Sequence, residues 1–263
     1  MDLRIQNKVA LVAASSSGLG KSAALQLSRE GAHLAICARN KENLFHAKED
    51  IEAETSGVVQ AYPIDVTQKD QVEKMVENIV SSLGSIDILV CNAGGPPAGF
   101  MDDFTPADYR NAVELNLMST ISLCYEALPH MKKNRWGRII CIASVSAKQP
   151  IPNLILSNTA RAGVLGFAKS LSEQVAPYGI TVNSVCPGYT KTERVGDLAQ
   201  SFANSGKGTP EDFYKTIEAN IPMNRLGTTE EFAHTVAFLA SEGAGYITGV
   251  ALQIDGGYIK GLF

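Results

Sequence analysis

The chain reads Val9-Ala10-Leu11-Val12-Ala13-Ala14-Ser15-Ser16-Ser17-Gly18-Leu19-Gly20 near its amino terminus, and this stretch decides the fold. Its first half is a short apolar run, typical of a strand that is buried on both faces. Its second half is a turn of small residues, followed by helical spacing of Leu19, Ala23 and Leu27. Such a turn directs backbone N–H groups and the positive end of a helix dipole to one point, so it predicts a phosphate-binding loop.

The strand-then-helix pattern repeats along the chain. A crossover helix is predicted over 72–83, with Thr67 and Asp70 resembling its start, and longer helices are predicted over 106–134 and 153–177. The sequence therefore predicts an α/β protein with a Rossmann-type, doubly wound, seven-stranded parallel sheet and helices on both faces. After the first strand, the predicted strands are 33–38, 58–63, 86–91, 137–144, 180–186 and 250–255.

Length and composition indicate one domain over residues 1–263. The chain is 45% hydrophobic and 19% charged, with a net charge of -4, so neither nucleic acid nor a membrane surface is expected as a partner. The apolar runs are too short to span a membrane, and residues 1–6 show no secretion pattern, so we expect a cytoplasmic protein. The cysteines are widely spaced and the histidines lack ligand spacing, which predicts buried thiols and no metal site.

The most irregular region, about 189–223, holds two short predicted helices, 193–203 and 210–219. Long insertions in compact domains are usually functional, so we favour a mobile lid over a cleft. A passive surface excursion is the alternative.

Several motifs occur in the order that the short-chain dehydrogenase/reductase family shows, and the chain resembles that family over essentially its whole length. The family's glycine loop, TGxxxGxG, corresponds to residues 13–20, with Ala14 in place of the first glycine. We expect a negative φ at Ala14, because a Cβ is penalised in the left-handed region. The closing motif is Ile254-Asp255-Gly256-Gly257, and the resemblance is to 3-oxoacyl-ACP reductase-like members.

The resemblance implies a set of cofactor-binding residues. They comprise the glycine loop, a pair after the third strand, the NAG turn after the fourth strand and a segment after the sixth. For Asp65, an ordinary helix-capping role is the alternative. The residues are Ser15, Ser16, Ser17, Gly18, Leu19, Gly20, Arg39, Asp65, Val66, Asn92, Ala93, Gly94, Pro187, Gly188, Thr190 and Thr192.

The end of the second strand indicates which dinucleotide is bound. An acidic residue there would bind the adenosine ribose and repel a 2′-phosphate, but this chain has Ala38 followed by Arg39. A guanidinium binds phosphate bidentately, so the pair favours NADP(H) over NAD(H). A solvated strand-end arginine is the alternative.

The catalytic constellation that the resemblance implies is Asn116, Ser144, Ser157 and Arg161. The family uses a serine, a tyrosine and a lysine, with a helix asparagine that orders water, but here Ser157 and Arg161 stand at the tyrosine and lysine positions. They lie four residues apart, on one helix face. An aliphatic hydroxyl is a far weaker acid than tyrosine, and arginine stays charged, so the acid/base step is expected to be altered.

Three hypotheses follow. The first is hydride transfer to or from a carbonyl or alcohol substrate, with the proton supplied by water at Asn116 or by the substrate. The second is a nucleotide-binding sensor or partner subunit without catalysis, and the third is elimination or isomerisation in the same pocket. We favour the first, because Ser144, Asn116 and Pro187-Gly188 match the family.

The sequence also suggests a substrate pocket and an assembly. We expect the 94–101 loop, with Phe100 and Met101, to shape an apolar pocket for a small carbonyl compound, with a plain connecting turn as the alternative. The resemblance implies a homo-oligomer, expected to be a tetramer. The apolar end of the chain agrees with a subunit contact; it contains Tyr258, Ile259, Leu262 and Phe263.

Overall fold

The core of the molecule is one seven-stranded sheet, seen in a computed structural model that describes residues 2–262. All strand pairs are parallel, in the order β3-β2-β1-β4-β5-β6-β7. The order reverses beside β1, which is where parallel α/β sheets open a crevice at their carboxyl edge. The strands are β1 Val9–Ala13, β2 His33–Ala38, β3 Val59–Pro63, β4 Ile88–Cys91, β5 Gly137–Ile142, β6 Ile180–Pro187 and β7 Ala251–Ile254.

Helices cover both faces of the sheet, as the sequence predicted. One apolar layer packs α1, α2 and α9 against the sheet, and the other packs α3, α5 and α6. The helices are α1 Gly18–Arg29, α2 Lys41–Glu54, α3 Lys69–Leu83, α4 Pro106–Val113, α5 Ser119–Asn134, α6 Ile155–Val175, α7 Glu193–Asn204, α8 Pro210–Asn220 and α9 Thr229–Ala240.

Most element bounds agree with the sequence to within a few residues, and two further differences concern the long helices. The predicted helix over 106–134 is divided by a π-helical turn, Glu114–Met118, which shifts the side chains that follow it. The predicted start of the crossover helix at Thr67 is wrong: Gln68 is the residue before α3. Thr67 instead donates through its backbone N–H and its hydroxyl to Asp65 Oδ1, at 3.0 and 2.9 Å.

Three further findings concern the described residues as a whole. All five cysteines are buried and free, as predicted. Among residues 2–262, no group of three or more His, Cys, Asp or Glu side chains is placed to hold a metal ion. No helix in this range has the length and apolar character that crossing a membrane requires.

The expectation of a negative φ at Ala14 is wrong. Its φ is +47°, in the left-handed region. The turn is fixed from two sides: the Ala14 carbonyl accepts a 3.1 Å hydrogen bond from Asn92 Nδ2, and a Cβ at Gly20 would lie only 2.3 Å from that carbonyl oxygen. The chain therefore tolerates strain at Ala14 in order to place the loop between β1 and α1.

We expect Ala14→Gly to raise the free energy of unfolding by up to about 1 kcal/mol. Glycine removes the cost of roughly 1–2 kcal/mol that a left-handed alanine carries. Its greater freedom in the unfolded chain lowers the free energy of unfolding again by about 0.5–1 kcal/mol. Urea unfolding measures the change. The control is Ala13→Gly, within β1, which should destabilise the protein; an Ala14→Gly protein less stable than the parent would contradict the strain argument.

Candidate active site

A cavity of about 870 Å³ lies at the carboxyl edge of the sheet. It brings together most of the residues that the sequence singled out, from the turn after β1 to the end of β6. The predicted residues in its wall are Ser16, Ser17, Gly18, Leu19, Arg39, Asp65, Val66, Asn92, Ala93, Gly94, Ser144, Ser157, Arg161, Pro187, Gly188, Thr190 and Thr192. Three of the predicted residues lie outside the wall and bond or pack against the turns that form it: Ser15, Gly20 and Asn116.

The turn after β1 presents an uncapped helix to this cavity. Ser17 makes no side-chain cap, and the first turn of α1 has no acidic residue. By contrast, α8 and α9 are closed by threonine capping boxes. Free N–H groups and a positive dipole end therefore face the cavity, an arrangement that suits a phosphate. Ser15 is fully buried and donates to the carbonyl of Val12 at 2.8 Å, so it shapes the turn.

The end of the cavity beside β2 and β3 contains Arg39 and Asp65. Arg39 is exposed and takes part in no ion pair within residues 2–262. Its guanidinium is therefore free to bind a ligand. Asp65 accepts both local bonds from Thr67 in the turn before α3 and does not cap that helix, and it still lines the cavity.

At the opposite end, beyond β5, three serines are joined by hydrogen bonds. Ser144 Oγ accepts a 3.1 Å bond from the Ser146 backbone N–H, and the hydroxyls of Ser146 and Ser157 lie 3.3 Å apart. Ser144 caps the 3₁₀ turn Val145–Ala147, which is why β5 ends at Ile142 rather than at residue 144. Ser144 and Ser157 line the cavity, and Ser146 is a member that the sequence did not single out.

Arg161 is buried beside these serines and holds the ends of two strands. Its Nη1 donates to the carbonyls of Ile142 and Ala143, both at 2.9 Å, and its Nη2 donates to that of Ala93 at 3.2 Å. Burial and, to a smaller extent, the charge of Arg194 lower the pKa of Arg161 to about 10. The guanidinium thus stays charged at neutral pH and acts as a clamp between β4 and β5.

The segment 93–96 after β4 is held by three side chains. Besides the Arg161 bond to Ala93, Asn116 Nδ2 donates to the Gly94 carbonyl at 2.9 Å and Arg194 Nη2 donates to the Pro96 carbonyl at 2.7 Å. Asn116 lies within the π-helical turn, and its Oδ1 is buried with no hydrogen-bond partner among the described residues. A buried acceptor of this kind usually binds an ordered water.

Comparison with known proteins fits this geometry. The family model described as "Enoyl-(Acyl carrier protein) reductase" matches residues 13–259. The 3-oxoacyl-[acyl-carrier-protein] reductase FabG of Haemophilus influenzae is 36% identical, over 96% of this chain and 98% of its own length. The chain belongs to the short-chain dehydrogenase/reductase family.

Two solved structures of this family's fold are similar along nearly the full chain. The L-sorbose reductase of Gluconobacter frateurii, complexed with NADPH and L-sorbose, has a TM-score of 0.95 and 31% identity, with 100% of both chains covered. YwfH, described as an NADPH-dependent reductase involved in bacilysin biosynthesis, has a TM-score of 0.90 and 33% identity, over 97% of this chain and 99% of its own.

Sequence reasoning missed or misplaced some parts of this dehydrogenase/reductase site. Arg194 and Tyr189 line the cavity; the sequence placed them in the predicted lid, 189–223, but did not single them out as site residues. The expectation that Phe100 and Met101 shape the pocket is wrong: the wall takes Gly94, Gly95 and Pro96 from that loop, and Phe100 is 56% exposed. A glycine-rich loop has few side chains to anchor it, so its contacts decide which residues face inward.

We expect Arg161→Met to lower the free energy of unfolding by at least about 3 kcal/mol. Each buried polar group that loses its partner costs roughly 1–3 kcal/mol, and three carbonyls lose theirs. Urea unfolding of the variant tests the clamp. Arg110→Met, at an exposed position on α4, is the matched control and should change little; equal effects of the two substitutions would show that Arg161 is not a clamp.

Proposed function

We propose that this protein is an NADP(H)-dependent oxidoreductase that transfers hydride between the nicotinamide and a carbonyl or alcohol substrate. One observation carries the proposal: a single cavity runs from Arg39, past the uncapped start of α1, to Ser144 and Ser157. An extended nucleotide with phosphates in its middle suits that order of groups. The sorbose reductase neighbour is complexed with NADPH, which supports the same cofactor here.

The choice of NADP(H) over NAD(H) rests on the residues after β2. Ala38 offers no carboxylate to a ribose, and Arg39 has an unpaired guanidinium at the cavity wall. A 2′-phosphate can accept two parallel hydrogen bonds from such a fork. Asp65 and Val66 would then flank the adenine, and Pro187, Gly188, Thr190 and Thr192 would lie along the nicotinamide half.

We expect Arg39→Asp to weaken NADPH binding at least about 10-fold and to leave NADH within about twofold. The substitution removes a charge-assisted pair, where a factor of ten is about 1.4 kcal/mol, and adds a charge that repels the phosphate. Calorimetric titration of each nucleotide measures both constants. Equal losses for NADPH and NADH would refute the assignment of the phosphate to Arg39.

The chain's own groups account for substrate orientation. When bound, NADPH supplies the hydride. Ser144 has a free hydroxyl proton, since its oxygen accepts the Ser146 N–H, so it can donate to a substrate oxygen. Ser157 lines the adjoining polar wall with the buried Ser146 hydroxyl 3.3 Å from its own, and Arg161 bonds the strand ends beside it.

The proton step differs from tyrosine-dependent chemistry. Ser157 is too weak an acid to donate alone, and the pKa of about 10 keeps Arg161 protonated, so neither group can act as a neutral-pH relay. We infer that water supplies the proton. The unpartnered, buried Oδ1 of Asn116 supports a water site behind the segment 93–96.

The direct test is loss of nicotinamide absorbance when the protein is mixed with NADPH and carbonyl compounds: a 3-oxoacyl thioester, L-sorbose and cyclohexanone. We expect turnover, with Ser144→Ala lowering kcat/KM about 100-fold, as expected for loss of a donor to a developing oxyanion. Ser170→Ala, exposed on α6 and away from the cavity, should match the parent. Equal rates for both variants would remove Ser144 from the reaction.

A second function, nucleotide binding without turnover, is favoured by the three backbone bonds that occupy Arg161. A protein that binds NADPH tightly yet oxidises it with none of the carbonyl compounds would have this role, as a sensor or partner subunit. Measurements of nucleotide affinity and of turnover therefore distinguish the two functions.

We also propose a single domain, a cytoplasmic homotetramer and a lid formed by residues 189–223. Exposed apolar side chains on α5 and β7, Tyr125 and Leu252, support subunit contacts. Tyr258 and Ile259 pack within their own chain, whereas Leu262 is exposed, and Phe263 lies outside the described residues.

Arg194, which joins α7 to Pro96, supports the lid.

A further inference from the structure

Two arginines line the cavity and bind the segment after β4. Arg161 comes from α6 and is buried, whereas Arg194 comes from the first turn of α7 and is exposed at the cavity mouth. Both bind the segment 93–96, at Ala93 and Pro96. They are close enough that the charge of Arg194 helps to lower the pKa of Arg161.

Neither guanidinium is saturated by the protein. An arginine has five N–H groups. Arg161 uses three of them on Ile142, Ala143 and Ala93, and Arg194 makes one bond, to Pro96. Both side chains therefore retain N–H donors at the cavity wall.

The protein also leaves these two charges without an anion. Within residues 2–262, neither arginine lies within ion-pair distance of a carboxylate. The acidic residues of this part of the wall, Glu193 and Asp197, are exposed on α7 itself. Arg161 is a buried cation whose partners are neutral carbonyls, so an anionic ligand within reach of its remaining N–H groups and of Arg194 would be stabilised.

The cofactor's own anions have other places in the cavity. The uncapped start of α1 suits the diphosphate, and Arg39, at the far end, suits the 2′-phosphate. The pair Arg161 and Arg194 lies instead beside Ser144 and the Gly95-Pro96 corner. A Cβ at position 95 would lie 3.2 Å from Arg194 Nε, so the guanidinium packs directly on that backbone.

We propose that the substrate of this reductase carries a carboxylate, which Arg161 and Arg194 bind while Ser144 holds the reacting carbonyl oxygen. The planar fork of a guanidinium matches a carboxylate in a way that an ammonium does not. Arg194 is thus the residue that selects an oxo acid over a neutral ketone. The reduction of the acid rests on the proposed function, whereas the binding of the acid does not.

Matched acid and ester pairs test the proposal on the full-length protein saturated with NADP⁺. Calorimetry compares pyruvate, acetoacetate and levulinate with their methyl esters, and NADPH absorbance follows their reduction. We expect at least one acid to bind about 10-fold more tightly than its ester, the range of one charge-assisted contact. Arg194→Gln should reduce that preference to about twofold or less, and Arg194→Lys should restore only part of it.

Controls separate the substrate from the cofactor. Arg194→Gln should leave the affinity for NADPH within about twofold, and Arg110→Gln, exposed on α4, should leave the acid preference intact. The proposal is overturned by no acid preference in any pair, by a preference that survives Arg194→Gln, or by a matching loss of NADPH affinity. Acid-selective binding without turnover would refute only the proposed reductase function. Reduction without acid preference would refute only the proposed carboxylate site.

Discussion

The site depends on one interaction, the set of hydrogen bonds from Arg161 to the strand ends. A guanidinium in a buried position loses hydration, and the three carbonyls of Ile142, Ala143 and Ala93 replace part of it. The same bonds fix the spacing of β4 and β5 where the chain leaves the sheet. Arg161 thereby holds the chain directly before Ser144, and Ser157 lies one helical turn earlier on the same helix, α6.

A second constraint joins this region to the phosphate loop. Asn92, at the end of β4, donates to the carbonyl of Ala14, and the loop accepts a left-handed alanine in order to make that contact. Strain of this kind persists only where the surroundings determine the backbone. The loop after β1 and the segment after β4 consequently form one rigid wall, which both halves of a dinucleotide would touch.

The charges of the cavity are separated along its length. Arg39 stands at one end, the helix dipole of α1 in the middle, and Arg161 with Arg194 at the other end. In the proposed function, these positive charges bind different anionic groups at different places. The fold of the short-chain dehydrogenases is thus retained, while Ser157 and Arg161 stand at the positions where the resemblance implies a tyrosine and a lysine. Neither of these two side chains titrates near neutral pH.

The sequence by itself determined the seven parallel strands, the helices on both faces and most of the cavity wall. These features follow from local periodicity and from turns, and parallel strands bring their carboxyl ends to one edge. Only the tertiary structure decided the φ of Ala14, the clamp made by Arg161, the bond from Arg194 to Pro96 and the outward direction of Phe100. Each of these depends on contacts between residues far apart in the chain, and no local pattern encodes such contacts.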